Sequence, residues 1–181
     1  MICREDRYDR LLGELSTHSL DVVLTDTPIA PGSAVRAYSH LLGECGVTFF
    51  GNAKLSKQFA ARFPASLDGA PILLPAAGCA LRSGLDLWFE TLRVRPQIMA
   101  EFEDSSLLKV FGQDGIGLFP APSVIERAVV RQHDVQIIGR AGDIREQFFA
   151  ISAERRLKNP AVLAICDAAR QKLFSPAPLD S

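Results

Sequence analysis

The chain has 181 residues, 48% of them apolar, and a formal charge of −1 from 20 basic and 21 acidic side chains. That is enough apolar material for the cores of one domain or of two small lobes. The charge balance excludes a basic nucleic-acid-binding module, and no apolar run approaches the ~18 residues of a membrane span.

Short strands alternate with amphipathic helices along the chain. Residues 2–4 are a short strand candidate. Tyr8, Leu11, Leu12 and Leu15 then fall at helical spacing, and His18-Ser19 ends that helix. Residues 21–25, DVVLT, read as a buried strand, and TPIAPGSAVRAYS as a connection rich in proline and glycine. GVTFF is the next strand. A helix carrying Leu55, Phe59 and Phe63 stops before Pro64, and PILL at 71–74 is a strand. Leu85, Trp88, Phe89 and Leu92 mark a helix, and residues 97–102 a strand. Asp104-Ser105-Ser106 then opens a short helix that Gly112 ends, and GIGLFP is the strand after it. Ser123 caps a helix through Val124, Ile125, Ala128 and Val129; strands follow at 135–138 and 147–152. Asn159-Pro160 starts a last helix, proline suiting the first helical position, and the tail SPAPLDS frays. The alternation means an α/β fold with mainly parallel sheets.

Several chemistries are missing. His18, His40 and His133 are isolated, and Cys3, Cys45, Cys79 and Cys166 form no C-x-x-C pair, so a zinc site is excluded. Cys3, Cys45 and Cys166 read as small core residues, and Cys79 as a turn residue. Unpaired thiols and a charged MICREDRYDR start suit a reducing cytoplasm. Gly112, Gly115 and Gly117 follow a helix and precede a strand, the wrong order for a dinucleotide loop. Arg155-Arg156 with Lys158 reads as a solvated helix entry.

Three corners share one design: DVVLTDTP, PILLPAAGCALRSG and MAEFEDSSLL each end a strand in small or hydroxylated residues before a helix. In parallel sheets ligands sit at such strand ends, where helix N-termini expose N–H groups. Capping alone also accounts for any one of them.

Four segments together resemble the effector-binding domain of LysR-type transcriptional regulators. They are LLGELSTHSLDVVLTDTP; GVTFFG; ALRSGLDLWFETLRVRPQIMAEFEDSSLLKVFGQDGIGLFPAP; and REQFFAISAERRLKNPAVLAICDAA. HLLGECGVTFFG, FPASLDGAPILLP and IREQFFAISAERR are similar to the sodium-responsive activators of sodium/proton antiporter genes. The resemblance implies two Rossmann-like lobes of the type II periplasmic-binding-protein kind. Lobe I is residues 1–37 and 151–181, lobe II is 38–150, and an effector binds between them. It implies effector contacts at Asp26, Thr27 and Pro28, at Gly78, Cys79 and Ala80, and at Asp104, Ser105 and Ser106, with Phe119 and Pro120 at the edge. Many family members carry a hydroxyl where Ala80 stands, which counts against an anionic effector.

The family's winged helix-turn-helix, its linker helix, and the first strand and helix of lobe I have no counterpart in this sequence. The implied partners are a small-molecule or ion effector, further copies in a homodimer or tetramer, and DNA only through the missing N-terminal domain. No cofactor, no membrane and no enzymatic activity are implied. If the effector is a monovalent cation, Asp26 and Asp104 are the oxygen donors, although helix N-termini near both would repel it. A periplasmic-type solute receptor shares the architecture, and a small α/β enzyme would need a base–nucleophile pair within hydrogen-bond reach.

Overall fold

The computed structural model describes residues 1–174; the tail SPAPLDS lies outside the described residues. The chain forms two units: Met1–Glu44 with the chain from Gln147 onward, and Cys45–Glu146. It crosses between them inside two long strands, β2 (Tyr38–Gly51) and β6 (Gln136–Ser152).

In the first unit, β1 (Val23–Thr25) pairs antiparallel with the end of β6, Val23 opposite Ile151 and Thr25 opposite Phe149; β6 in turn neighbours β2. Alternate residues face opposite sides of this sheet. Val23, Phe149 and Ile151 pack on Leu12 and Leu15 of α1 (Tyr8–Ser16). Leu42 and Ala150 pack on Val162 and Cys166 of α6 (Pro160–Ala168), which the Asn159 side chain caps by accepting from the Ala161 N–H. The strand expected at residues 2–4 does not form. Ile2 is 85% exposed and Cys3 is exposed rather than a core residue, because a two-residue apolar run among charges has nothing to bury against.

The second unit contains β3 (Pro71–Pro75), β4 (Gln97–Phe102) and β5 (Phe119–Pro122) with the other parts of β2 and β6. Strands β3 and β4 pair parallel, Pro75 opposite Phe102, and Leu118 bridges Ile72 in parallel. β5 pairs antiparallel with β2, Phe50 opposite Phe119. Helices α2 (Ala53–Phe59), α3 (Ala80–Leu92), α4 (Ser105–Gln113) and α5 (Glu126–His133) complete it. Neighbouring strand residues serve opposite cores. Phe49 packs on Phe63, Trp88 and Phe89, whereas Phe50 stacks on Phe119 at 5.5 Å. Burial on both faces explains the near-continuous apolar runs in VTFF and PILL.

Two sequence expectations are corrected here. The strands expected at 135–138 and 147–152 are one, because the intervening RAGDIRE continues as strand with Ala141, Ile144 and Glu146 buried. Ser123 does not cap α5; it heads a 3₁₀ turn (Ser123–Ile125), and its hydroxyl donates to Thr48 Oγ1 at 2.7 Å. Thr48, fully buried, spends its own proton on Glu126. Arg140 grips the same carboxylate with Nε–Oε1 at 2.7 Å and Nη2–Oε2 at 2.8 Å. Burial alone would push the Glu126 carboxyl up; the hydrogen bonds from Arg140 and Thr48 outweigh it and hold the group below the usual carboxylate range.

Gly112 lies inside α4, one residue before its end, directly against Phe119: a Cβ there would stand 2.1 Å from Phe119 Cδ1. Gly112→Ala is therefore expected to cost about 1–3 kcal/mol in urea unfolding. Gly142→Ala, with nothing within 4 Å, should shift stability by less than about 0.5 kcal/mol; equal effects would contradict the packing. Glu126→Gln should cost about 1.5 kcal/mol at neutral pH. The folded-state pKa is depressed, so this stability is present above the unfolded carboxyl value of about 4.3. It is lost as pH falls through the folded value. The gap between the native chain and the variant should thus be widest at neutral pH and close in acid.

Candidate functional site

The register of β3 and β4 brings the C-terminal ends of two parallel strands side by side, and the Ala76 N–H donates to the Phe102 carbonyl at 2.7 Å. From one end the chain turns through Gly78, at a left-handed φ of 100°, into α3; from the other it enters α4. Cys79 caps α3, its Sγ accepting from the Arg82 N–H at 3.4 Å and lying 3.7 Å from the Ala76 carbonyl oxygen. Asp104 caps α4, its Oδ1 accepting from the N–H groups of Ser106 at 2.6 Å and Leu107 at 3.3 Å. Gly78, Ala80, Ser105 and Ser106 are exposed around these two helix starts. Lys109, one turn into α4, donates to Ser105 Oγ at 3.4 Å. Burial pushes its ammonium below the usual lysine range, and the Asp104 charge opposes that shift.

The other expected positions belong to other elements. Asp26, Thr27 and Pro28 belong to the first unit, and no helix follows them. Pro28, Pro31 and Gly32 keep the segment irregular up to Tyr38. The turn is held instead by Thr27 N–H to Thr25 Oγ1 and by Thr27 Oγ1 to Asp26 Oδ1, both 3.1 Å. No helix therefore starts at Asp26. Phe119 and Pro120 are buried. The Phe119 ring is core, stacked on Phe50 and closed over by Gly112, so its side chain does not line a surface site.

Sequence reasoning missed Arg82. Its side chain is only 13% exposed and bridges the whole corner. It donates to the Pro75 carbonyl at 3.0 Å, to both Asp86 oxygens at 3.0 and 3.1 Å, and to Glu101 on β4. The Arg82–Asp86 spacing of four on a helix is a local signal; the Glu101 partner has none. A His40–Ser152 pair also escaped notice, with Nε2 to Oγ at 2.9 Å. It is not a base activating a nucleophile. The Ser152 hydroxyl gives its proton to the Glu154 carbonyl at 2.8 Å and is buried, so it accepts from His40. Among the described residues no group of three or more His, Cys, Asp or Glu is placed to hold a metal ion, and no helix is long and apolar enough to cross a membrane.

Comparison with known proteins matches this architecture. Residues 2–174 match the LysR substrate binding domain model. The chain is 35% identical over 176 residues to the transcriptional activator protein NhaR of Escherichia coli, covering 97% of this chain and 57% of that protein. Among solved structures it resembles the reduced regulatory domain of OxyR2 from Vibrio vulnificus, with TM-score 0.67, 15% identity, and 94% of this chain and 80% of that one covered. It also resembles full-length HypT of Salmonella typhimurium, a hypochlorite-specific LysR-type regulator, with TM-score 0.63, 14% identity, and 91% and 56% covered. These solved relatives share the fold, and the named relatives are transcriptional regulators rather than enzymes. A family match over nearly the whole described length, on two α/β units joined by two long strands, means that the chain belongs to the LysR substrate binding domain family.

Proposed function

We propose that the chain is the effector-sensing part of a cytoplasmic LysR-type transcriptional activator, and that its target is a sodium/proton antiporter gene. The 35% identity to NhaR supports the second clause. Operator DNA is contacted through a separate winged helix-turn-helix, and the regulator works as a homodimer or tetramer, as the family resemblance implies.

The observation that carries the sensing role is the pair of helix starts at the adjacent ends of β3 and β4. Two N-termini present positive dipole ends to one place, and the small or hydroxylated Gly78, Ala80, Ser105 and Ser106 let a ligand approach the backbone. The effector is a small polar molecule that offers hydrogen-bond acceptors there. The charge logic disfavours sodium at Asp104. The same oxygen already accepts two N–H groups, and a cation would meet the positive ends of α3 and α4. Sodium therefore acts on the response without being ligated at this aspartate. The signal leaves through β2 and β6, which are shared covalently by both units.

Two outcomes follow. Asp104→Ala should lower stability by about 1 kcal/mol, as loss of a helix cap does, and calorimetry at constant ionic strength should show no saturable sodium-specific heat that this substitution abolishes. Such a heat, with stability unchanged, would make Asp104 a cation ligand. In a full-length regulator carrying this chain, Ser106→Trp fills the corner from an exposed position. It should reduce induction of an antiporter-gene reporter at least about ten-fold, the loss of ~1.4 kcal/mol of coupling, while operator binding persists. Full induction would remove the corners as the effector site.

A further inference from the structure

The first unit carries a second feature that the sensing role leaves unused. The antiparallel pairing of β1 with β6 sets the 153–158 turn at the opposite end of β1 from Asp26-Thr27-Pro28. At that end Arg36, Tyr38, Arg155, Arg156 and Lys158 surround a depression of about 990 Å³, with Glu154 on its rim. The expectation for Arg155-Arg156 with Lys158 was a solvated helix entry. They are indeed exposed just ahead of α6, and the fold adds a distant arginine, from the segment just before β2, to the same concavity.

What singles this cluster out is its unpaired charge. The other arginines of the unit each have a carboxylate within reach: Arg4 has Glu14 at 3.2 Å, Arg7 has Asp9 at 3.3 Å, Arg10 has Asp6 at 3.5 Å, and Arg170 has Asp167 at 3.6 Å. Among the described residues Arg36, Arg155 and Arg156 have none, and Glu154 is already engaged by Lys158 at 3.5 Å. Four cations against one carboxylate thus face a single depression on a chain whose formal charge is only −1. Clustered like charges repel, and a concave wall strengthens their field. Guanidinium groups offer planar forks that match phosphate oxygens two at a time, and Tyr38 adds an aromatic flank with a hydroxyl.

We propose that this depression is a binding site for a small multivalent phosphate, separate in the chain from the helix-start corners of the second unit. Arg155 and Arg156 on the turn and Arg36 just before β2 hold the phosphate oxygens, and Lys158 shares its charge between the ligand and Glu154.

The test is calorimetry of the 181-residue chain with pyrophosphate at fixed ionic strength, with citrate as the carboxylate counterpart. Saturable pyrophosphate binding is expected, weakened about ten-fold or more in the Arg155→Gln/Arg156→Gln double variant and unchanged in Ser106→Trp, which fills the corner of the second unit. The turn is exposed, so that double variant should stay folded, which circular dichroism checks, and Arg36→Gln provides an independent reading from the segment before β2. Absence of saturable heat, or equal affinity in both arginine variants and the native chain, would overturn the site. Citrate binding as tightly as pyrophosphate would overturn its assignment to phosphate. Loss of binding in Ser106→Trp would place the ligand at the effector corners instead.

Discussion

The Arg82 guanidinium is the constraint on which the second unit's binding end depends. It lies almost buried, and a buried cation is costly unless every donor finds a partner. The partners of its Nε and Nη1 come from three elements: the Pro75 carbonyl ending β3, Asp86 one turn further along α3, and Glu101 on β4. They must assemble together. Glu101 pairs with Leu74 and Phe102 with Pro75, so the same contact that neutralises Arg82 also holds the parallel register. With the register held, the starts of α3 and α4 emerge side by side, and Cys79 and Asp104 have only to cap them.

Much of this fold was legible because burial imposes a period. The stripes through Leu12 and Leu15, and through Leu85, Trp88 and Phe89, gave α1 and α3 directly. The long strands were harder. Only the doubly buried half of β2, GVTFF, stands out, because its remainder is half-exposed. In β6 the Gly142-Asp143 pair resembles a turn, yet inward-facing Ala141 and Ile144 keep the ladder going. Because β2 and β6 each continue through both units, the unit boundary falls within strand rather than loop; Gly43 and Gly46 beside it sit inside β2 and mark no turn.

The candidate site divides along the same line. Local chemistry was visible: Asp104 before two serines, Asn159 before a proline, and small residues after PILL all announce helix starts, and caps are made at each. Whether Asp104 caps its helix or faces a ligand could not be read from residue types, since an aspartate suits both roles; in the structure its Oδ1 accepts from the Ser106 and Leu107 N–H groups, which makes it a cap. Long-range partners were invisible. Nothing near Thr48 points to Glu126, nothing near Arg82 points to Glu101, and nothing near Arg155 points to Arg36. The burial of Phe119 has no local signal either: it is Gly112, seven residues earlier, that makes room for its ring in the core.

The central claim is that one nearly buried guanidinium organises both helix starts. Amide hydrogen exchange on Arg82→Gln tests it most directly. The account predicts faster exchange at Arg82 and Ser83 on α3 and, across the sheet, at Ser106 and Leu107 on α4, with Leu12 and Leu15 of α1 unchanged. Acceleration confined to α3, with the α4 start as protected as in the native chain, would contradict it.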